Sequence, residues 1–271
     1  MYSYRGTTTL VTGASRGLGT AYAIELARRG SDLVLVARSA PEIDALAARI
    51  RAAHDVAVTT RAADLTDPDQ VAALLRDLDP ASEPVDLLVN NAGMGPAGPF
   101  LDRPLEPQQT AVDLNVTALM ALTHGFGTPM AARGRGGIIN VASTAAFQPM
   151  PYQAAYAATK AFVLSFTEAV TEELRGTGVR VMAAHPGGTA TAFFAGTTHT
   201  VDQRLLDSAD DVARRTLDDF ARGRSASYPG RQLNRVGSWL PRFLPRTVTS
   251  RITGKLNRTL GLDAVRAVPA A

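Results

Sequence analysis

The chain has 271 residues, a length that suits one large domain better than two, and its 45% hydrophobic and 20% charged residues exclude a disordered or fibrous protein. It contains no cysteine, which excludes disulfides, thiolate metal sites and cysteine nucleophiles. Nine basic residues and no acidic residue lie between Arg222 and Arg258. The net charge of +3 therefore comes from the C-terminal segment, since acidic residues outnumber basic ones elsewhere.

The apolar segments are too short or too interrupted for export or for a membrane span. Threonines and a glycine break the stretch between Arg5 and Arg16, which lacks the apolar core of a signal peptide. No apolar run approaches the roughly 20 residues that a membrane-spanning helix needs. We therefore expect a soluble, cytoplasmic protein.

Short runs rich in leucine and β-branched residues alternate with longer helical patterns, which is typical of a parallel sheet with helices on both faces. The predicted strands are Thr8–Thr12, Leu33–Ala37, Val56–Arg61, Asp86–Asn90, Gly137–Ala142 and Val179–Ala184, with a shorter one near Ser225–Tyr228. The sequence predicts an α/β fold, in which residues 1–271 form a single domain on a doubly wound, Rossmann-type parallel sheet of about seven strands.

Helices are predicted between these strands. They cover Leu18–Arg29, begin near Pro41 and Pro68, and continue with Gln108 to about His124 and with Tyr152–Arg175. Small residues and threonines follow from Thr189 onward. We expect residues 189–224 to form a substrate-side loop or lid, and residues 229–271 a basic C-terminal appendage.

The segment TTLVTGASRGLG, residues 8–19, joins a buried strand, a glycine-rich turn and a helix. Glycines let the backbone approach a pyrophosphate, and the helix N-terminus supplies N–H donors and positive dipole. The glycine spacing differs from strict GxGxxG and alone indicates only a tight turn, but its place after the first strand favours dinucleotide binding. The predicted binding residues are Gly13, Ser15, Arg16, Gly17, Leu18 and Gly19.

The end of the second strand indicates which dinucleotide fits. An acidic side chain there binds the ribose 2′-hydroxyl of NAD, whereas an arginine accommodates the 2′-phosphate of NADP. This strand runs into Arg38 and Ser39 without a carboxylate, and Arg16 can reach the same phosphate. Either arginine alone is more often a solvated surface charge, but both together favour NADP(H).

Tyr156 and Lys160 are four residues apart within a predicted helix and therefore share one of its faces. A phenol with its reference pKa of about 10 is a poor acid or base at neutral pH, and a neighbouring ammonium is expected to lower that pKa. Ser143 follows a predicted strand and can place its hydroxyl at the carboxyl ends of the strands, where such sheets bind ligands. Taken alone, such a pair is usually without function and such a serine is usually a cap.

These features occur together in a specific order. The order is TGASRGLG, Arg38, Asp64-Leu65, NNAG at 90–93, Asn115, Ser143, YAATK at 156–160 and Pro186-Gly187. From Thr7 to Thr191 the chain resembles the short-chain dehydrogenase/reductase family, and its combination of TGxxxGxG, NNAG and YxxxK is highly specific.

The resemblance implies a role for each matching residue. Tyr156 is expected to protonate the carbonyl oxygen in reduction, or to act as the base in oxidation, while Ser143 polarises that oxygen. Lys160 is expected to bind the nicotinamide ribose and to lower the pKa of Tyr156, and Asn115 to anchor a water that links Lys160 to solvent. The other implied cofactor contacts are Asp64 and Leu65 at the adenine, Asn91, Ala92 and Gly93 at the adenosine ribose, and Pro186, Gly187, Thr189 and Thr191 at the nicotinamide.

Some of these residues have plain structural interpretations. Asn115 can make a hydrogen bond inside its helix, and tying neighbouring strands together explains Asn90 better than ligand contact does. Thr189 replaces the apolar β-branched residue of the family's PGxVxT pattern, so only its backbone is expected to serve. The four histidines lack metal-ligand spacing, so we expect no metal and interpret His185 as a core residue.

The residues expected around the substrate are mostly apolar or aromatic and carry no fixed charge, which favours a hydrophobic ketone, aldehyde or secondary alcohol. Several of them, Phe147 and Phe193 especially, can instead pack beneath the loop. The predicted lining is Met94, Thr144, Phe147, Met150, Pro151, Tyr152, Phe193 and Phe194.

The leading interpretation is an NADPH-dependent reductase of an apolar carbonyl compound, with a homodimer or homotetramer implied by the resemblance. The same residues serve an NADP-dependent alcohol dehydrogenase that works in the oxidative direction. A non-catalytic NADPH-binding regulatory protein is disfavoured, because Tyr156 and Lys160 are both present. Nucleic-acid binding is not expected, because the basic tail lacks the interleaved aromatic residues of a stacking surface.

Arginines and apolar residues alternate in the C-terminal segment. One interpretation is weak peripheral contact with an anionic membrane, or with an acidic carrier that delivers a hydrophobic substrate. The favoured interpretation is that the apolar residues dock on the domain or across a subunit interface while the arginines stay solvated. These apolar residues are Trp239, Leu240, Phe243, Leu244, Val248 and Ile252.

Overall fold

The computed structural model describes residues 2–78, 84–190 and 206–265. In this part of the chain, seven parallel strands form one sheet in the order β3-β2-β1-β4-β5-β6-β7. The strands are β1 Thr8–Thr12, β2 Asp32–Ala37, β3 Val58–Ala62, β4 Leu87–Asn90, β5 Gly136–Val141, β6 Val179–Ala184 and β7 Ala226–Ser227. The predicted doubly wound parallel sheet is confirmed, and each predicted strand overlaps an observed one.

Helices cover both faces of the sheet and are α1 Gly17–Arg28, α2 Ala40–Ala53, α3 Pro68–Asp77, α4 Glu106–Val112, α5 Leu119–Ala132, α6 Ala154–Glu173 and α7 Ala209–Ala221. Apolar residues of α1, α2 and α7 form the core on one face, and those of α3, α5 and α6 pack on the other. Local sequence sets the helix starts. Asp67, for example, caps α3 by accepting the Asp69 N–H at 2.9 Å, and Pro68 opens its first turn.

Two predicted boundaries are corrected. The helix expected from Gln108 to His124 begins at Glu106, passes through a π-helical segment at Asp113–Ala118 and continues to Ala132. The wider turn accommodates Asn115, whose side chain bonds to the Met94 backbone. Part of the range 189–224 is not a lid, because α7 packs against α1 and buries its apolar face in the core.

The strand order reverses beside β1, which lies between β2 and β4. Ligands of open α/β sheets bind in the crevice outside the carboxyl ends of the strands at such a point. β1, β4 and β5 end there at Thr12, Asn90 and Val141. The topology thus gathers the glycine turn, NNAG and Ser143 at one edge of the sheet.

The C-terminal segment contains α8 Gln232–Trp239, a 3-10 turn at Leu240–Phe243, α9 Arg246–Thr259 and a further turn at Leu262–Ala264. It docks beside the segment that precedes α6, where the Asn257 amide donates to the Pro151 carbonyl at 2.8 Å. Leu262 and Val265 pack with Ala97 and Tyr152.

The apolar residues expected to dock on the domain remain largely exposed. Phe243 is 75% exposed and Ile252 56% exposed, and Trp239 and Val248 are also accessible. Docking on the same chain is therefore wrong for Phe243 and Ile252, and small and polar residues occupy the inner side of α9. No helix in the described ranges combines the length and apolarity needed to cross a membrane.

Candidate active site

The glycine turn between β1 and α1 allows a ligand to approach its backbone closely. Gly13 and Gly17 have positive φ angles of 65° and 58°, which side chains other than glycine rarely adopt. A Cβ on Gly19 would lie 2.1 Å from the Gly13 carbonyl oxygen. Arg16 provides no side-chain cap to α1, so the first-turn N–H groups can bind an anion. The turn therefore fits the pyrophosphate of a dinucleotide.

Thr12 and Asn91 hold this turn against the end of β4. The Thr12 hydroxyl accepts the N–H groups of Asn91 at 3.0 Å and Ala92 at 2.9 Å. The Asn91 side-chain amide donates to the Thr12 carbonyl at 2.9 Å. Asn91 thus has a structural role beside its predicted ribose contact, and Thr12 was missed, although a threonine directly before the glycine turn is a local signal.

The nucleotide end of the crevice matches the predicted charge pattern. Arg16 and Arg38 are both exposed, and the Ala14 N–H donates to the Val36 carbonyl at 3.2 Å, which brings the turn beside the end of β2. Ser39 stands directly before α2. The Asp64 carboxylate closes a local turn by accepting the Thr66 hydroxyl at 2.7 Å, and Leu65 is buried beside it.

Ser143 follows β5 and begins a 3-10 turn at Thr144–Phe147. Its hydroxyl accepts the Ala145 N–H at 3.1 Å, which fixes the side chain at the strand end. The same hydroxyl faces the phenol of Tyr156, near the start of α6, and acts to lower that phenol's pKa. Tyr156 as a whole is partly buried. Ser143 and Tyr156 thus lie together at the carboxyl ends of the strands, as their places in the sequence predict.

Lys160 lies one helical turn after Tyr156 and is only 4% exposed. Its Nζ donates to the Val141 carbonyl at 2.8 Å. A Cβ on Gly93 would lie 3.4 Å from this Nζ and 3.1 Å from the Asn115 Oδ1, so only glycine leaves this space beside the ammonium. Gly93, Asn115 and Lys160 are thus neighbours, as the motif order predicts.

Asn115 links three segments of the site. Its Oδ1 accepts the Met94 N–H at 3.0 Å, and its Nδ2 donates to the Met94 carbonyl at 2.8 Å and to the Thr159 hydroxyl at 2.9 Å. Its hydrogen bonds therefore extend beyond its own helix, and Thr159 was not predicted. The proposed anchoring of a water by Asn115 stays a prediction.

Burial governs the acidity of both catalytic candidates. It raises the pKa of the Tyr156 phenol, and the Ser143 hydroxyl opposes this shift. Burial also lowers the pKa of the Lys160 ammonium to about 8. The expectation that Lys160 lowers the pKa of Tyr156 stays a prediction; its Nζ bonds to the Val141 carbonyl and lies 5.9 Å from the phenol ring centroid. Tyr156 is therefore a protonated phenol at neutral pH.

A buried network of polar side chains joins β5, the strand that leads to Ser143, to its neighbours. The Asn90 amide donates to the Asn140 Oδ1 at 2.9 Å and to the Thr123 hydroxyl at 3.1 Å, and the Asn140 amide donates to Thr167 at 3.1 Å. Asn90 therefore ties β4 to β5, as interpreted from the sequence. Asn140 was missed, although a polar residue inside the apolar strand GGIINV was a visible signal.

The substrate side is only partly as predicted. Phe147 packs against the buried His185, with ring centroids 5.0 Å apart, and His185 also packs against Tyr228. Tyr152 packs with Leu262 and Val265, so both aromatic rings have structural contacts. Met94, Thr144, Met150 and Pro151 are partly buried near the crevice.

The nicotinamide side is described up to Ala190. The Thr144 N–H donates to the Pro186 carbonyl at 3.0 Å, which joins the serine loop to the Pro186-Gly187 segment. The Thr189 hydroxyl donates to the Gly187 carbonyl at 3.1 Å. The predicted Thr191, Phe193 and Phe194 lie outside the described residues.

A doubly wound sheet with a glycine turn and a Ser–Tyr–Lys group at its switch point defines a dinucleotide-dependent oxidoreductase. A family model described as short chain dehydrogenase matches residues 7–202. An uncharacterized oxidoreductase from Myxococcus xanthus is 40% identical over 68% of this chain and 72% of its own length. A 3-oxoacyl-[acyl-carrier-protein] reductase from Synechocystis is 39% identical over 67% of this chain and 74% of its own. The chain belongs to the short-chain dehydrogenase/reductase family.

Solved structures agree with this assignment. A short-chain dehydrogenase from Sphingobium yanoikuyae in complex with NADPH has a TM-score of 0.77 and 35% identity, over 89% of this chain and 97% of its own. A bulky-bulky ketone specific alcohol dehydrogenase from Comamonas testosteroni has a TM-score of 0.75 and 31% identity, over 89% and 95%. A family member from Burkholderia phymatum in complex with NAD has a TM-score of 0.75 and 26% identity, over 84% and 90%. The protein is an oxidoreductase on this basis.

Proposed function

We propose that this protein is an NADPH-dependent reductase of small, mostly apolar ketones or aldehydes. The observation that carries the proposal is the Ser143 hydroxyl facing the Tyr156 phenol, with the buried Lys160 Nζ 5.9 Å from the phenol ring centroid. Because burial raises the pKa of Tyr156, the phenol holds the proton that a carbonyl oxygen needs during reduction.

The residues divide the reaction as follows. When bound in the crevice, NADPH would supply the hydride for the new C–H bond. Ser143 donates a hydrogen bond to the carbonyl oxygen, and Tyr156 transfers its Oη proton to that oxygen as the C=O bond becomes C–OH. Lys160 binds the nicotinamide ribose and provides the positive charge beside the resulting phenolate. An alcohol dehydrogenase reaction with NADP reverses these steps and requires Tyr156 to begin as the base.

NADP(H) as the cofactor is supported by the two exposed arginines and by the relative in complex with NADPH. The relative in complex with NAD shows that the fold serves both nucleotides, so Arg16 and Arg38 carry the preference. An apolar substrate is supported by the uncharged predicted lining and by the relative named for bulky ketones. The other residues predicted to contact the cofactor or the substrate are proposed to make those contacts.

We also propose that the protein works in the cytoplasm as a homodimer or homotetramer. Exposed apolar side chains on α4 and α5, Val112 at 43% and Met120 at 45%, support an interface formed by these helices. Sedimentation of the purified protein measures the assembly directly.

The decisive experiment incubates the purified protein with apolar ketones and aldehydes and follows the absorbance of NADPH or NADH. We expect alcohol formation with NADPH preferred. Equal use of NADH would contradict the cofactor assignment. Tight NADPH binding without turnover of any substrate in either direction would favour the regulatory protein instead.

A further inference from the structure

Helix α9 turns its apolar residues away from the domain. Val248, Ile252 and Leu256 recur every four residues and lie along one face, where they are 37%, 56% and 56% exposed. Leu260, 46% exposed, extends this stripe beyond the helix end. The buried face of α9 instead carries small and polar residues, namely Thr249, Gly254 and Asn257. This is the reverse of an ordinary surface helix, and the part of the chain that the structure describes leaves the stripe uncovered, which favours a binding partner.

Positive charge lines this stripe. Arg251 and Lys255 follow Val248 and Ile252 by three residues and are exposed along one edge of the stripe, and Arg258 is exposed further along the same edge of α9. Within the described ranges, none of these three forms an ion pair, whereas Arg222 and Arg224 are paired with Asp219. The sequence provides no acidic residue from Arg222 to Arg258 that could neutralise them. The partner must therefore have an apolar region that the stripe can enter, with negative charge beside it.

We propose that the stripe Val248, Ile252, Leu256 and Leu260 docks on an anionic lipid bilayer, with α9 lying in the plane of the interface. The apolar side chains enter the acyl boundary while the flanking cations contact lipid phosphates. A second copy of the chain is a poorer occupant, because it would bring two sets of unneutralised cations together. The 14-residue helix is about 21 Å long, which is shorter than the hydrocarbon core, so it lies on the membrane.

The inner face of α9 connects this surface to the active site. Asn257 bonds to Pro151, and Leu262 packs with Tyr152, in the segment that leads into the catalytic helix α6. Docking therefore holds the substrate side of the crevice close to the bilayer, where apolar carbonyl compounds concentrate. The lipid contact itself rests only on α9 and can be tested without a substrate.

The chain offers a built-in probe, because Trp239 is its only tryptophan and is 49% exposed shortly before α9. The full-length protein is mixed with vesicles of equal parts phosphatidylglycerol and phosphatidylcholine, or of phosphatidylcholine alone. We expect co-sedimentation and a blue shift of tryptophan emission with the anionic vesicles only. Both signals should weaken above physiological salt, where the screening length falls below about 8 Å.

Paired variants separate the contributions of charge and apolar contact. Arg251→Glu with Lys255→Glu should lower the vesicle partition coefficient by roughly 25-fold or more, since each basic residue near an anionic surface contributes about a fivefold factor. Ile252→Ser with Leu256→Ser should abolish the blue shift. The matched control, Arg49→Glu with Arg76→Glu, makes the same charge change on exposed residues of α2 and α3 and should retain binding.

Circular dichroism and solution turnover should match the wild type in all three variants, which separates lipid docking from folding and from the proposed function. Equal binding to neutral and anionic vesicles, or none to either, would overturn the proposal. A lipid-free assembly that dissociates in the Ile252→Ser, Leu256→Ser variant, without vesicle binding by the wild type, would instead make the stripe a subunit interface.

Discussion

The two ends of the crevice use different parts of the chain. At the nucleotide end, the shape comes from the backbone, where Gly13 and Gly19 lie so close that a Cβ on Gly19 would be 2.1 Å from the Gly13 carbonyl oxygen. At the catalytic end, the chemistry comes from side chains, with Lys160 4% exposed beneath Tyr156. The arginines at the nucleotide end, in contrast, are exposed.

This difference teaches how each end responds to substitution. Adding one carbon atom to a glycine of the turn should disrupt the nucleotide end, whereas exchanging its surface charges should alter only the cofactor preference. Removing the phenol oxygen of Tyr156 at the catalytic end should eliminate catalysis while leaving the fold intact. Four substitutions test this contrast.

Tyr156→Phe should have the largest effect, because it removes the proton that reduction requires while preserving the ring. We expect kcat to fall by roughly 10²–10⁴-fold, with NADPH affinity within a few-fold of wild type. Tyr4→Phe, which removes the hydroxyl that donates to the Leu217 carbonyl in the core, is the matched control and should retain kcat. Near-full turnover of Tyr156→Phe on a verified substrate would refute the proton-transfer role.

Gly19→Ala should distort the glycine turn, because the new Cβ meets backbone at Gly13 that cannot move aside cheaply. We expect a loss of about 1–3 kcal/mol in unfolding free energy and a large loss of NADPH affinity by titration calorimetry. Gly237→Ala is the control, since a Cβ there meets nothing within 4 Å. Unchanged NADPH affinity in Gly19→Ala would show that the turn does not hold the pyrophosphate.

Arg38→Asp should change the preference for NADPH over NADH more than it changes the ability to catalyse the reaction. A charge-assisted hydrogen bond contributes about 1.5–3 kcal/mol, so the ratio of kcat/KM for NADPH over NADH should fall by roughly 10- to 100-fold. Arg49→Asp makes the same charge change at an exposed position on α2 and should keep the ratio. A ratio in Arg38→Asp equal to that of the wild type would mean that Arg16 alone sets the preference for NADPH.

Lys160→Met should lose activity yet stabilise the protein without its cofactor. Burial lowers the folded pKa of Lys160 from 10.5 to about 8, so the unfolded chain binds the proton more tightly. The resulting cost, about 3 kcal/mol, is complete below pH 8 and disappears as the pH rises to 10.5. Loss of the charge-assisted bond to Val141 offsets at least about 1.5 kcal/mol, which leaves a net gain of at most about 1.5 kcal/mol at pH 7.

Thermal unfolding at pH 7 and pH 10 measures this effect. The gain in Tm of Lys160→Met over wild type should shrink at the higher pH, because wild-type Lys160 is then neutral. Lys255→Met, at an exposed position, is the matched control and should leave Tm close to that of the wild type. A difference in Tm between the two proteins that does not change from pH 7 to pH 10 would mean that the ammonium is better solvated than its burial indicates.

The sequence alone determined the sheet and the main site residues. β1 and β6 occupy the predicted Thr8–Thr12 and Val179–Ala184, because alternating apolar runs and local stop signals specify such elements without reference to the rest of the chain. The glycine turn, Ser143 and the Tyr156–Lys160 spacing were visible for the same reason. Each depends on a few consecutive residues whose backbone or helix face is fixed locally.

Only the tertiary structure decided which groups these residues contact. Asn91 reaches Thr12, and Lys160 reaches the Val141 carbonyl, because parallel pairing brings segments distant in sequence to one edge of the sheet. The exposure of Ile252 on α9 was likewise hidden, since an amphipathic pattern shows that a helix has an apolar face but not where that face points. That direction is set by the docking of Asn257 on Pro151, a contact between two distant segments.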